Sequence, residues 1–256
     1  MKVIINADDF GLNHSVNLAI VEAFQKGFIT NTTIMVNMPG FEEAVQLSKE
    51  YGFFDKVGFH FNLFEGEPLT NEIKDEPLFY HDTLTSFYFF HKGLFFHRFF
   101  VRKRTSKAIR SEFIAQWEKY QRAGFPQRHM DSHGHSHIYL SVFSSINNEM
   151  RTKGVNTVRK SLNMISQHRS WIVRYYKGLI NHLIAKQFNT VKYFTSAKEF
   201  MGSAPNYADN SVCEIMVHPV YENETLSNMG GPSFELLESS LMNFQKISYS
   251  DCVFEK

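Results

Sequence analysis

What the chain has little of already narrows it. Cys213 and Cys252 are the two cysteines in 256 residues, too few for a disulfide framework and not at the C-x-x-C spacing of a thiolate metal site or redox pair. That scarcity suits a reducing compartment. An excess of one charge is also missing. The 27 Lys and Arg stand against 26 Asp and Glu, a formal net charge of +1, so no global field gathers nucleic acid or an anionic membrane over the whole surface. Nucleic acid is therefore not expected as a partner. The greasiest stretch, Phe87 to Val101, is broken by His91, Lys92, His97 and Arg98, and a spanning helix needs about 18 uninterrupted apolar residues. The apolar start before Asp8-Asp9 is too short for a signal-peptide core, and the expectation is a cytoplasmic protein. No Pro/Gly/Ser linker, low-complexity tract or internal repeat interrupts the chain. No G-x-S-x-G elbow, Walker loop or G-x-G-x-x-G occurs, which leaves serine acyl transfer and nucleotide chemistry without a motif.

What is present is the material of one packed domain. Hydrophobic residues make up 43% and charged ones 21%, the balance of a globular chain long enough for a substantial core. Phe and His are abundant, at 26 and 12. Short apolar runs predict strands at Val3–Asn6, Thr32–Asn37, Lys56–Asn62, Arg128–Ser132, Val155–Arg159, Thr190–Phe194 and Val212–Val217. Helical spacing fills the gaps at Asn13–Lys26, Phe41–Tyr51, Ser106–Ala123, Ile172–Gln187 and Phe234–Gln245, the first two stopping at Gly27 and Gly52. Strict alternation predicts an α/β fold, a distorted (β/α) TIM-like barrel of about seven parallel strands in a single domain.

Polar residues fall where such a barrel keeps its chemistry, at the C-terminal ends of strands. The first strand ends in Asp8-Asp9-Phe10-Gly11, the third passes through His60, the fourth ends in Asp131-Ser132-His133-Gly134-His135-Ser136-His137, and the last ends in His218-Pro219. Taken singly, an Asp-Asp pair reads equally as a βα turn, His60 as a hydrogen-bonded core histidine, and His218-Pro219 as a turn. The cluster after Asp131 is harder to explain structurally, and it is the convergence of four strand ends that points to a site. Asp and His without a ligating Cys suit a two-His-one-carboxylate set that binds Mg, Zn, Mn, Ni or Co with positions left open. A carboxylate beside the ion and an imidazole opposite are what a general base and a general acid require, and Asp8 or Asp9 and His218 supply them. Successive strand residues face opposite sides, so the two aspartates share one ion only if the chain turns there, and Phe10-Gly11 suggests such a turn.

At these residues the chain resembles the YdjC-like carbohydrate deacetylases. The resemblance rests on five ordered motifs: Asn6-Ala7-Asp8-Asp9-Phe10-Gly11-Leu12; Thr30-Asn31-Thr32-Thr33 with Val36-Asn37; Gly58-Phe59-His60-Phe61-Asn62-Leu63 with Gly66-Glu67-Pro68-Leu69; Met130 to His137; and Glu214-Ile215-Met216-Val217-His218-Pro219. It implies a distorted barrel, one divalent ion (Mg or Zn foremost) held by Asp9, His60 and His133, catalysis by Asp8 as base and His218 as acid, and removal of N-acetyl groups from glucosamine-type sugars. It also implies that Arg159 and His135 lie beside the substrate, although Lys160-Ser161 depart from the family's continuation after that arginine. A metal-dependent phosphoesterase on a similar barrel and a non-catalytic glycan-binding protein are the alternatives.

One segment stands apart. From Phe79 to Phe100, ten of 22 residues are Phe or Tyr, and a basic run follows with no acid before Glu112. The whole of 1–256 reads as one metal-dependent deacetylase domain with an aromatic-rich insertion or lid at about 76–105. Such a segment suits packing on the barrel or on the second subunit of a homodimer. It also suits a membrane-surface or lipid-linked glycan contact through 86–104, or a platform for sugar rings.

Overall fold

Val3, Ile4 and Ile5 open a strand that is buried on both faces, as the near-continuous apolar strands of parallel sheets are. This computed structural model describes residues 1–79, 95–164, 170–203, 211–252 and 254. Seven strands lie parallel: β1 (Lys2–Phe10), β2 (Asn31–Ile34), β3 (Val57–Phe61), β4 (His129–Ser132), β5 (Thr157–Val158), β6 (Tyr193–Ser196) and β7 (Val212–Val217). Their spatial order is β5-β4-β3-β2-β1-β7-β6. The two edges approach one another at a parallel bridge between Thr157 and Asn189, and Asn163 Oδ1 accepts from the Phe194 amide at 2.7 Å. The result is the distorted seven-strand barrel the alternation predicts, in one α/β domain.

Around the sheet run α1 (His14–Gln25), α2 (Phe41–Glu50), α3 (Asn71–Lys74), α4 (Lys103–Arg122), α5 (Leu140–Thr152), α6 (Trp171–Ala185), α7 (Ala197–Ser203) and α8 (Phe234–Leu241). An antiparallel hairpin, β8 (Pro219–Glu222) with β9 (Thr225–Asn228), follows β7, and β10 (Gln245–Lys246) lies parallel to the start of β1. Several boundaries shift from expectation. The last helix ends at Leu241 because Gln245 and Lys246 pair with Lys2 and Val3. The sixth strand starts at Tyr193 because Asn189 is taken by the bridge and Val191 turns into an apolar cluster with Ile4, Ile247 and Tyr249. Helix α5 escaped the sequence reading. Its Val142, Phe143, Ile146 and Met150 have helix spacing, but Ser and Asn dilute it. Of the expected lid at 76–105, residues 80–94 lie outside the described residues.

The parity of each strand separates two interiors. On β1, Val3, Ile5 and Ala7 belong to the main apolar core under the helices. The alternate residues Asn6 and Asp8 join a hydrogen-bonded polar network inside the barrel, above an apolar floor that includes Ile4. On β3, Phe59 packs on Phe61, Phe113, Trp117 and Tyr120 with ring centroids 5.3 to 6.2 Å away, a burial worth about 1.5–3 kcal/mol for that ring. On the same strand His60 faces the polar side, and Gly58 makes room there. A Cβ on Gly58 would sit 3.0 Å from both the His129 ring and the Thr33 methyl.

Candidate active site

Asp8 and Asp9 both enter the site because β1 bulges. Ala7 pairs with Thr32 and Phe10 with Ile34, so one strand advances three residues while the other advances two. The extra residue is absorbed at Asp9, whose φ is 70°, a left-handed conformation that costs a non-glycine residue about 1–3 kcal/mol. The turn expected at Phe10-Gly11 is present, with φ of 87° at Gly11, but it is the left-handed Asp9 that makes the two carboxylates face different partners.

Asp9 faces the histidines. Its Oδ1 lies 2.7 Å from His133 Nδ1 and 3.2 Å from His60 Nε2, and one donor atom from each of Asp9, His60 and His133 falls within 4.8 Å of the others. His60 is buried, its Nδ1 is 2.6 Å from Asp131 Oδ1, and Thr33 Oγ1 sits 3.1 Å from the same nitrogen. Among the described residues its Nε2 meets only that Asp9 oxygen, at 3.2 Å and out of line for a full hydrogen bond. A carboxylate behind one ring nitrogen with the other left for a ligand is the arrangement that orients metal-binding histidines. His133 starts a turn whose Gly134 and His135 both have positive φ, 57° and 55°. At Gly134 a Cβ would collide with the Phe64 ring. His133 Nε2 lies 3.3 Å from Glu65, which Asn62 helps place by accepting from the Glu65 amide and donating to its carbonyl.

Asp8 faces the barrel interior. Both terminal nitrogens of Arg159 donate to it at 2.7 Å, and Asn6 donates at 2.9 Å. Arg159 is fully buried and also reaches Asp131 at 2.7 Å and Glu214 at 2.7 and 2.8 Å. The arginine expected beside the substrate is thus buried and bonded to Asp8.

The electrostatics follow. Three buried carboxylates, Asp8, Asp131 and Glu214, share buried Arg159, and a fourth, Asp9, faces the two histidine rings. Burial opposes charge on His60, but Asp131, by charge and hydrogen bond, and Asp9 lift it to about 10. Burial likewise opposes His133, and the hydrogen bonds its ring donates to Asp9 and Glu65 raise it to about 9. Burial alone would raise Asp9, yet its bonds to the two rings hold it well below the ordinary carboxylate value. The cluster calls for positive charge, which a divalent cation on deprotonated rings would satisfy. The donor set fits such an ion.

The remaining expected residues are placed as follows. His218 stands one residue past Val217, which pairs with Ala7, so its register position is level with Asp8 on the adjacent strand. Its amide donates to Asn228 Oδ1, which ties the strand end to the hairpin. His135 meets Phe194 edge-on at 5.7 Å, its buried Nδ1 has no partner, and burial with the nearby Arg159 charge pushes it down to about 3. His137 bonds Ser132 and the Arg159 carbonyl, a structural role. Sequence reasoning gave no role to Asp131, Glu214, Thr33, Asn6 or Glu65. The first four sit inside the quoted motifs and alternate with outward apolar residues, which was the available signal. Glu65 carried none.

Comparisons with known proteins agree with this picture. The profile of the family described as YdjC-like protein matches residues 2–245. A carbohydrate deacetylase of Brevibacillus brevis is 32% identical over 88% of this chain and 84% of its own, and one of Halalkalibacterium halodurans is 29% identical over 88% of each. A carbohydrate deacetylase of Vibrio cholerae is 40% identical over a shorter match, 54% of this chain and 51% of its own. Among solved structures, an Enterococcus faecalis protein provisionally named for cellobiose-phosphate cleavage superposes with a TM-score of 0.70 and 20% identity, covering 97% of each chain, a likeness of fold.

Proposed function

The chain belongs to the YdjC-like family, and from that membership and the site's geometry we propose that it is a metal-dependent hydrolase removing the N-acetyl group from a glucosamine-type amino sugar or oligosaccharide. Its named relatives are deacetylases, and the chain is accordingly an amide hydrolase. The observation that carries the metal reading is the convergence of one donor atom from each of Asp9, His60 and His133 within 4.8 Å, with His60 buried and backed by Asp131. Asp9, His60 and His133 would hold one divalent ion, magnesium or zinc foremost, with manganese, nickel or cobalt accepted by the same donors. Bound there, such an ion supplies a Lewis acid for the acetyl carbonyl and a water of lowered pKa.

The chain's own groups supply the proton transfers. Asp8 takes a proton from the attacking water, and Arg159 and Asn6 hold its carboxylate in one orientation for that purpose. Arg159 is thus a positioning residue that acts through Asp8. His218 delivers a proton to the departing sugar amine, so that amide and water become amine and acetate. His135, kept neutral by burial, would lie beside the sugar. The two cysteines are free thiols, in keeping with a cytoplasmic setting.

The test is acetate release from N-acetylglucosamine and its oligomers by purified protein, before chelation, after it, and after adding back each metal. Release that a chelator abolishes and a divalent ion restores is the expected result. A metal-loaded protein that frees no acetate but cleaves sugar phosphates would overturn it in favour of a phosphoesterase.

A further inference from the structure

The charge of this nearly neutral chain is unevenly distributed. Residues 83–111 and 150–198 carry seven and ten Lys or Arg and not one Asp or Glu. The structure brings parts of these two runs together. The Phe99 ring meets Tyr176 of α6 edge-on at 5.4 Å. The Tyr176 hydroxyl donates to the Ile138 carbonyl at 2.9 Å and accepts from the Leu140 amide at 3.1 Å, and Ser141 Oγ donates to the His97 carbonyl at 2.5 Å. These anchors lie at the end of the turn that begins at His133, so the assembled face is tied to the segment that carries this histidine.

That face is apolar as well as cationic. Phe96 is 80% exposed, Phe100 75%, and on α6 Trp171 is 75%, Tyr175 73% and Ile172 60% exposed. On the same helix Ile180 and Ile184 are buried against the barrel. Arg174 is exposed among the outward aromatics, with Arg102 and Lys103 exposed at the start of α4. Monomeric proteins rarely leave such a patch bare, and aromatic residues with Lys and Arg on one surface are the composition of an interfacial site. The two runs carry no acid of their own, and Glu76 pairs with Arg104 at 3.5 Å, so the charge left on this face is still positive and chooses among occupants. A second copy docked isologously would set these cations against their own symmetry mates, whereas an anionic surface complements them.

We propose that the face formed by α6 and residues 96–104 docks on an anionic lipid bilayer. Aromatic rings enter the headgroup boundary and the surrounding Lys and Arg pair with lipid phosphates, each contributing to an attraction that salt screens. The docking stands apart from the deacetylase reading, which acetate release from a soluble N-acetylated sugar tests separately.

Trp171 provides the measurement, because the other tryptophan, Trp117, is 1% exposed and packed in the core. Phosphatidylcholine vesicles containing phosphatidylglycerol should bind the full chain in sedimentation and shift Trp171 emission to the blue. Vesicles of phosphatidylcholine alone should bind it far less, and about 0.5 M salt should release it. The combined variant Trp171→Ser, Ile172→Ser, Tyr175→Ser changes exposed side chains only and should cut partitioning about tenfold or more, with soluble-sugar turnover unchanged; Arg174→Glu should weaken it by a similar factor. Failure to bind anionic vesicles, or equal binding by the combined variant, would overturn the proposal. So would a Trp171 already shielded from iodide without lipid, or a dimer that the combined variant dissolves, since either shows the face covered by protein.

Discussion

The two sides of one sheet differ sharply in this molecule. Outward from the strands, Val3, Ile5, Ala7, Phe59 and Ile215 meet the helices in an apolar layer with no exposure. Inward, one residue along, Asn6, Asp8, His60, Asp131, Arg159 and Glu214 form a connected network of charge that is equally buried. The outer side stabilises the fold by removing carbon from water. The inner side lets charges survive burial only by bonding them to one another, an arrangement that is a poor source of stability and a good source of fixed geometry. Tolerance to substitution should therefore differ sharply across the sheet.

The largest effect expected is on turnover, at the paired aspartates. Asp8→Asn should keep its metal and lose activity by about 10²–10⁴-fold, unrelieved by added ion. Asp9→Asn should lose metal, with activity partly restored as ion is added. Metal analysis beside steady-state kinetics separates them, and identical behaviour in both variants would abolish the division of roles. Next comes Arg159→Met, which strands three buried carboxylates. It should destabilise the fold by about 3–5 kcal/mol in denaturant titrations.

A smaller effect concerns pH. Because His60 is lifted to about 10 and His133 to about 9 in the ion-free protein, the folded state binds more protons than the unfolded one above pH about 6.5. The stability they contribute is complete below that pH and drains away as pH rises through 9 to 10. Thermal unfolding of chelated protein should show this loss, and Asp131→Asn should shrink it while weakening metal binding about 10–100-fold. Ile5→Val, on the outer side, marks the other end of the scale. It should cost about 0.5–1.5 kcal/mol of stability and leave kcat untouched.

Much of this was readable along the chain. Strand and helix periods, glycine stops at Gly27 and Gly52, and polar residues at four strand ends follow from local chemistry, which is why barrel and site were both legible. The residue types also narrowed the proposed ligand chemistry, since Asp and His without Cys restrict the ions that can bind. The roles of individual carboxylates were not legible. Asp8 and Asp9 are adjacent and chemically alike, and only the bulge in β1, with φ of 70° at Asp9, turns one to the histidines and leaves the other to Arg159. Arg159 was singled out along the chain, but its pairing with three carboxylates was not, because sequence does not say how deep a strand end lies. Its burial is set by strands β1, β4 and β7 supplying three carboxylates from positions 8, 131 and 214. In the same way the chain shows two acid-free runs, but their meeting at Phe99 and Tyr176 is made by the packing of α6 beside the turn from His133 to Ile138. Local chemistry determined which elements form and which residue types could react. Long-range packing decided which charge faces which, because electrostatic partnership depends on distance in space and burial, and neither is a property of neighbours in sequence.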